Sequence, residues 1–439
     1  MRTYLKILVG LIVVGAIALL AFILVPVQRT PAQAQLPDDW QPEEGQGEYA
    51  MRIADCAACH TAPDGEQFTG GRAIESPLGV IYSSNITPDD ATGIGGWSLD
   101  DFRAALYDGV RPDGTHLYPA MPYENYRKLS EEDVRALYHY FTEEVEPVRN
   151  ETPEAELPFP FDQRWTLRGW KWLALDDPGF AADADDPVLA RGEYLVEGPG
   201  HCSACHTPRN TIMAEAAVDA SDEAFLSGGE IAGWTAPALR GPDSAIAGWS
   251  QDDLVSIFST GRNAHAAVNG EMQLVIRDST QFMSDEDLTA MSAFLVGLNE
   301  GTGQARAESE TTETETEALI ASADPDMPLG TRLYIDNCNA CHFANGRGAD
   351  EVFPELDGNS LVTAESPTGL ISMILEGSEL PSTPKRPYSL RMPGFADRLT
   401  DEEVAELASF VRQGWSNDAG PVSAASVAEL RGKAQAKME

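Results

Sequence analysis

This sequence predicts an all-α chain of three tandem helical domains, and three observations predict it. A five-residue motif, C-x-x-C-H, occurs three times at roughly even spacing: Cys56-Ala57-Ala58-Cys59-His60, Cys202-Ser203-Ala204-Cys205-His206 and Cys338-Asn339-Ala340-Cys341-His342. A short helical pattern leads into each motif, at Gly47-Glu48-Tyr49-Ala50, Gly192-Glu193-Tyr194-Leu195 and Gly330-Thr331-Arg332-Leu333-Tyr334. A recurrent helix start then closes each domain: Leu129-Ser130-Glu131-Glu132-Asp133-Val134, Met283-Ser284-Asp285-Glu286-Asp287-Leu288 and Leu399-Thr400-Asp401-Glu402-Glu403-Val404. Each reads as a staple residue, an N-cap, three acids suited to the helix dipole, and an amphipathic helix. A chain of 439 residues has room for three such domains of roughly 100 residues, each enough for one small core.

The motif spacing lets two thiols form thioethers with the vinyl groups of one haem, and the adjacent histidine then falls under the iron. The covalent positions are Cys56, Cys59, Cys202, Cys205, Cys338 and Cys341; the proximal ligands are His60, His206 and His342. These motifs use all six cysteines, so no thiol remains for a disulfide, a nucleophile or a separate metal site. A zinc site pairs C-x-x-C units at close spacing, and a redox pair needs no following histidine each time. The sequence therefore calls for three covalently bound haem c groups.

Taken in order, residues 1–34 begin with Arg2 and Lys6 and run apolar from Ile7 to Val25. This segment reads as a signal peptide or an N-terminal membrane anchor. Ala32-Gln33-Ala34 offers a cleavage site and tips the reading towards cleavage. Either way, positive charge before the apolar run places the remainder outside the cytoplasm. Residues 40–150 form the first domain, and 188–300 the second. Between them, 151–187 is an aromatic connector holding Phe159, Phe161, Trp165, Trp170 and Trp172, for which inter-domain core is the favoured reading over a docking surface. Gly96-Trp97-Ser98-Leu99-Asp100-Asp101-Phe102 and Gly248-Trp249-Ser250-Gln251-Asp252-Asp253-Leu254 repeat a capped helix start in the first two domains. Residues 301–326 form an acidic tract without periodicity, expected to be a flexible linker. The third domain spans 327–416, and 417–439 is a polar tail.

The formal charge of −40 excludes nucleic acid and anionic lipid surfaces as general partners. The acids are spread along the whole chain, which favours a salt-adapted surface over one docking face.

A second axial ligand is sought among Met and His. Seven histidines are present, three of them proximal, and the remaining His116, His139, His201 and His265 all precede the third domain. That domain must then use a methionine, and Met392 in Arg391-Met392-Pro393-Gly394-Phe395 is preferred to Met373. Met121, in Tyr118-Pro119-Ala120-Met121-Pro122-Tyr123, holds the corresponding place in the first. In the second, Met283 fills a staple position and Met291 lies on the following helix, so Met272 is chosen. An iron closed by Met relays electrons rather than binding substrate, and no catalytic residue is assigned. Each proximal histidine also needs an acceptor for its other ring N–H. Pro88, Pro237 and Pro354 mark segments that could carry that carbonyl, or are ordinary turn prolines. The four other histidines read as packed or solvated residues, one of them a candidate for proton exchange with a quinone.

Ser84-Asn85-Ile86-Thr87-Pro88, Gly96-Trp97-Ser98, His116-Leu117-Tyr118-Pro119-Ala120-Met121-Pro122-Tyr123, Asp278-Ser279-Thr280-Gln281 and the Arg391-Met392-Pro393 loop carry a resemblance. From Gly47 to about Trp415 the chain resembles the three-haem cytochrome c subunit of membrane-bound periplasmic dehydrogenases of the alcohol, gluconate and sorbitol type. The resemblance implies three tandem class I cytochrome c domains and a place on the periplasmic side of the bacterial inner membrane. It implies electron transfer from a flavin or PQQ catalytic subunit, through the haems, to ubiquinone, with a small third subunit as a further candidate partner. The chain would have no substrate chemistry of its own. A free-standing multihaem carrier between a quinol-oxidising complex and a terminal oxidase is the alternative.

Overall fold

The structure, a computed structural model, describes residues 2–25, 27–37, 39–231, 233–299 and 315–436. A long N-terminal helix, α1 (Arg2–Leu24), precedes the rest; it is long and apolar enough to cross a membrane from Tyr4 to Ile23. The elements then follow as α2 (Gln46–Ile53), α3 (Cys56–His60), the hairpin β1 (Ala73–Ser76) and β2 (Gly79–Tyr82), α4 (Leu99–Asp108), α5 (Tyr123–Tyr126) and α6 (Glu131–His139). The connector contributes α7 (Leu167–Ala174). Next come α8 (Pro187–Glu197), α9 (Ser203–His206), β3 (Gly229–Ile231), β4 (Trp234–Ala236), α10 (Gln251–Thr260), α11 (Met272–Asp278) and α12 (Asp285–Gly297). The last stretch holds α13 (Glu315–Ser322), α14 (Leu329–Asn337), α15 (Asn339–His342), α16 (Ser360–Thr363), α17 (Thr368–Glu376), β5 (Gly377–Glu379), β6 (Arg391–Pro393), α18 (Asp401–Gln413) and α19 (Ala424–Ala436). The all-α expectation thus needs a correction, because β1–β2, β3–β4 and β5–β6 form three small antiparallel hairpins.

The buried apolar residues fall into three clusters, each built on one recurrent helix crossing. α2 packs on α6, α8 on α12 and α14 on α18. Glycine permits the close approach. A Cβ on Gly47 would lie 2.6 Å from the Ala136 carbonyl oxygen, on Gly192 2.0 Å from that of Ala290, and on Gly330 2.5 Å from that of Glu406. Gly192→Ala is therefore expected to force the α8–α12 crossing apart and cost about 1–3 kcal/mol. A urea titration would show it as a lower midpoint at unchanged slope.

The terminal helices begin as their sequences require. Ser130, Ser284 and Thr400 accept hydrogen bonds from the backbone N–H of Asp133, Asp287 and Glu403, and the staple residues Leu129, Met283 and Leu399 are buried. The first two cores also cap each other. Tyr49 of α2 donates to Asp287 (2.7 Å) and accepts from the Ser284 N–H (3.1 Å). Tyr194 of α8 returns the contact, donating to Asp133 and accepting from the Ser130 N–H (3.0 Å). Within the first core, Glu131 on α6 is buried and receives Arg103 of α4 through both carboxylate oxygens, at 2.6 and 3.1 Å.

Two further expectations change. The acidic tract is helical from Glu315 to Ser322: Ile320 is buried in the third core, and the Thr316 hydroxyl accepts from the Trp415 N–H at 2.9 Å. Residues 301–314 of that tract lie outside the described residues. The polar tail contains α19, which folds back on α17 and α18 with Val427 buried and Arg431 on Asp401 at 2.7 Å. Its low sequence hydrophobicity hid this contact, which rests on two or three apolar side chains and one arginine.

Candidate haem sites

Each motif opens onto its own apolar cavity. The first is lined by Cys56, Cys59, His60 and Met121, with Ile86, Phe102 and Leu106. The second is lined by Cys205, His206 and Met272, with Trp249 and Leu254; Cys202 packs at the edge of the same core. In the third, Cys338, Cys341 and His342 meet Met392 and also Met373. Met121 sits in a tight loop, its N–H on Tyr118 O (3.2 Å) and its carbonyl receiving the Tyr123 N–H (2.8 Å). Met392 lies on β6 opposite Ser378 of β5. Met272 differs from both, since it is the first residue of α11. Met283 and Met291 are buried in the second core.

In all three motifs the histidine Nδ1 donates to a backbone carbonyl. His60 reaches Ser84 O at 2.7 Å, His206 reaches Pro237 O at 2.8 Å, and His342 reaches Pro354 O at 3.0 Å. Pro237 and Pro354 are the acceptors considered from sequence. Pro88, considered with them, is not the acceptor, because the chain meets His60 four residues earlier, at Ser84. Burial holds all three rings below the usual histidine range, so Nε2 keeps its lone pair at neutral pH. That is the state an axial ligand needs. Burial also pushes the thiols up, Cys59 and Cys202 to about 12 and Cys205 to about 11. These are not the thiolates of a redox pair. Among the described residues no three His, Cys, Asp or Glu side chains gather into a metal-binding group. The donor set therefore fits covalent haem with a Met on the distal side.

The cavities adjoin. Ala267, Val268 and Asn269 from the second core, and Glu355, Asn359 and Leu361 from the third, line both the second and the third cavity. His201, next to Cys202, lines the first cavity and meets Tyr126 edge-on at 5.6 Å.

The cytochrome c family pattern matches residues 328–415, around the third motif. Over most of its length the chain is similar to other known proteins. It is 41% identical over 394 residues to the cytochrome c subunit of alcohol dehydrogenase (quinone) from Gluconobacter oxydans (strain 621H), covering 88% of this chain and 81% of that one. The chain belongs to the family of dehydrogenase cytochrome c subunits. The gluconate 2-dehydrogenase cytochrome c subunit of Pantoea cypripedii is 41% identical over 420 residues, covering 93% and 94% of the two chains. The fructose dehydrogenase cytochrome subunit of Gluconobacter japonicus is 37% identical over 426 residues, covering 92% and 85%.

Several features of this dehydrogenase cytochrome c subunit escaped sequence reasoning. The connector is not inter-domain core: Phe159 is 80% exposed and Trp172 72%. Trp165 and Trp172 instead meet Phe22 of α1 edge-on, at 6.2 and 5.1 Å. His116 is buried rather than solvated, and its Nδ1 lies 3.1 Å from Lys171 Nζ. His265 stacks on Trp249 at 5.6 Å beside the second cavity. His139, by contrast, is the surface residue that the sequence suggests, 3.3 Å from Glu144.

A buried acid pair also joins the first two cores next to the second motif. Glu124 accepts the Glu215 N–H at 3.2 Å, and Arg209 stands 3.8 and 3.7 Å from the two carboxylates. Burial, then the Glu215 charge, raises Glu124 to about 8. A raised acid keeps a proton that the unfolded chain releases above about pH 4.3, so its contribution to stability is lost as pH rises towards 8. Glu124→Gln is expected to lose less stability than the parent between pH 5 and 8, and to run parallel to it above. Urea midpoints of both proteins at several pH values check this.

Proposed function

We propose that this chain is the electron-transfer subunit of a membrane-associated dehydrogenase complex, carrying three covalent haems in three tandem class I cytochrome c domains at 40–150, 188–300 and 327–416. The axial pairs are His60 with Met121, His206 with Met272, and His342 with Met392. The observation that carries this reading is the threefold recurrence, in one cavity each time, of a carbonyl-anchored histidine and a methionine. When bound, haem supplies a one-electron iron centre whose potential His/Met ligation raises above that of a bis-histidine site. The chain's own residues orient the histidines, line the cavities with apolar side chains and set the second site against the third.

The electrons enter from a catalytic subunit bearing flavin or PQQ and leave to ubiquinone in the bacterial inner membrane, on its periplasmic side. The relatives' names and the apolar α1 support this assignment. A small third subunit completes the complex. Purification from detergent-solubilised membranes, with intact mass analysis, tests the proposal. The expected result is this chain with three haems, together with a dehydrogenase subunit. A chain that arrives alone with its haems would favour a free-standing carrier; fewer than three haems would remove the domain assignment.

A further inference from the structure

The three proposed distal ligands are held in different ways. Met121 is fixed by the turn bonds of its own loop, and Met392 by strand pairing within β5–β6. Met272 instead opens α11, a short helix whose Ile276 is buried in the second core. Bonds to both neighbouring cores flank it. On one side, Arg72 of the first core donates to the Glu271 carboxylate at 2.8 Å. On the other, Gln273 donates to the Ser378 hydroxyl of the third core at 2.7 Å. Residues 271, 272 and 273 thus engage three different cores in succession.

The far end of α11 is tied to the first core as well. Arg52 of α2 donates to the Asp278 carbonyl at 3.3 Å and lies 4.0 Å over the Phe282 ring. Along its length α11 also packs on α3, the helix of the first motif. The third-core contact reaches a second ligand position. Ser378 stands directly opposite Met392 in the β5–β6 hairpin, and both line the third cavity, as Glu271 and Met272 line the second. Arg72 and Glu271 form a half-buried pair, and such a pair adds little to global stability. Its effect is local, because it sits one residue from the ligand.

We propose that Arg72 and Ser378 are positioning residues for the second haem: acting through Glu271 and Gln273, they hold Met272 at its distal side from outside its own core. The inference rests on the His206–Met272 pairing given above and adds what keeps that pair closed. An axial ligand keeps its place only when neighbouring contacts hold it within a fraction of an ångström. With seven residues, α11 is too short to be stable alone, so its placement comes from what it packs on. The consequence is conditional ligation. The second iron is six-coordinate when all three cores are docked, and a displaced neighbour opens it. The first and third sites, whose methionines are held inside their own cores, lack this dependence.

The test uses the full haem-loaded chain and two readouts of methionine ligation. These are the sulfur-to-iron charge-transfer band of the oxidised protein and carbon monoxide binding by the reduced one. Met272→Leu sets the reference, removing about a third of the band. Arg72→Glu/Ser378→Ala is expected to match it with haem content intact by mass, and to bind carbon monoxide about tenfold faster than the parent. In the Met272→Leu background the same two substitutions should take nothing further. Adding Glu271→Arg to them should restore most of the loss by re-forming the ion pair. Tyr49→Phe, which cuts a 2.7 Å contact between the first two cores at α12, should leave the band whole. Should Arg72→Glu/Ser378→Ala lose a haem, Arg72→Gln is read by carbon monoxide binding alone, with a rise of about threefold expected. An undiminished band with parent-like carbon monoxide binding, further loss in the Met272→Leu background, or equal loss in Tyr49→Phe would each overturn the proposal. If Met272→Leu itself leaves the band whole, the axial pairing falls, and the proposal with it.

Discussion

On the axial assignment proposed above, Met392→His is expected to lower the reduction potential of a haem held by the third motif by on the order of 0.1–0.3 V, a substantial part of the ≈ 0.8 V that axial ligands span. The expected direction follows from exchanging a thioether for a second imidazole. The position suits the exchange because Met392 is held by strand pairing, Ser378 lying opposite it on β5, so a new side chain starts from the same backbone. The third core is also the clearest place to read the outcome. His342 is the only histidine from residue 266 onwards, and no native ring competes. Potentiometric titration should show one of three waves moving down, with loss of one sulfur-to-iron charge-transfer band. Unmoved waves would rule out Met392 as the ligand and leave Met373, which lines the same cavity, as the next to substitute.

Glu131→Ala removes about 3–5 kcal/mol of stability, because it strands a buried cation. Arg103 is as buried as its partner, and two of its nitrogens point at the Glu131 carboxylate. Asp100 also takes Arg103, at 2.5 Å, but from an exposed position, so it offsets little of the loss. Arg135 loses its 3.1 Å contact to Glu131 as well. The same substitution deletes an acid from the first turn of α6, where the helix dipole favours one. Denaturant unfolding followed by far-ultraviolet circular dichroism measures the change. A shift below 1 kcal/mol would mean that Arg103 finds another acceptor or water.

Much of this was legible from residues alone, and the reason is locality. A C-x-x-C-H motif, or a Ser or Thr followed by three acids, declares a conformation or a chemistry within a few positions. Hence Ser130, Ser284 and Thr400 are caps. Met121 and Met392 line the cavities to which their place in the repeat assigned them, and Met272, chosen because Met283 and Met291 have other places, lines the second. What stayed hidden depends on partners far away in sequence. His116 is buried because Lys171, 55 residues later, covers it. The aromatic connector is outside because it meets Phe22, some 140 residues earlier. Ser84 rather than Pro88 serves His60 because hairpin β1–β2 sets how the following loop returns to the motif. No local pattern encodes those distances.

The exchanged tyrosines Tyr49 and Tyr194 have a thermodynamic consequence. Residue for residue, the contact is isologous, of the kind that joins the halves of a twofold dimer, yet both halves belong to one chain. Opening either core withdraws a hydroxyl from the start of the other's terminal helix, exposing the very turn that nucleates it. The first two cores are accordingly bound to melt as one cooperative block.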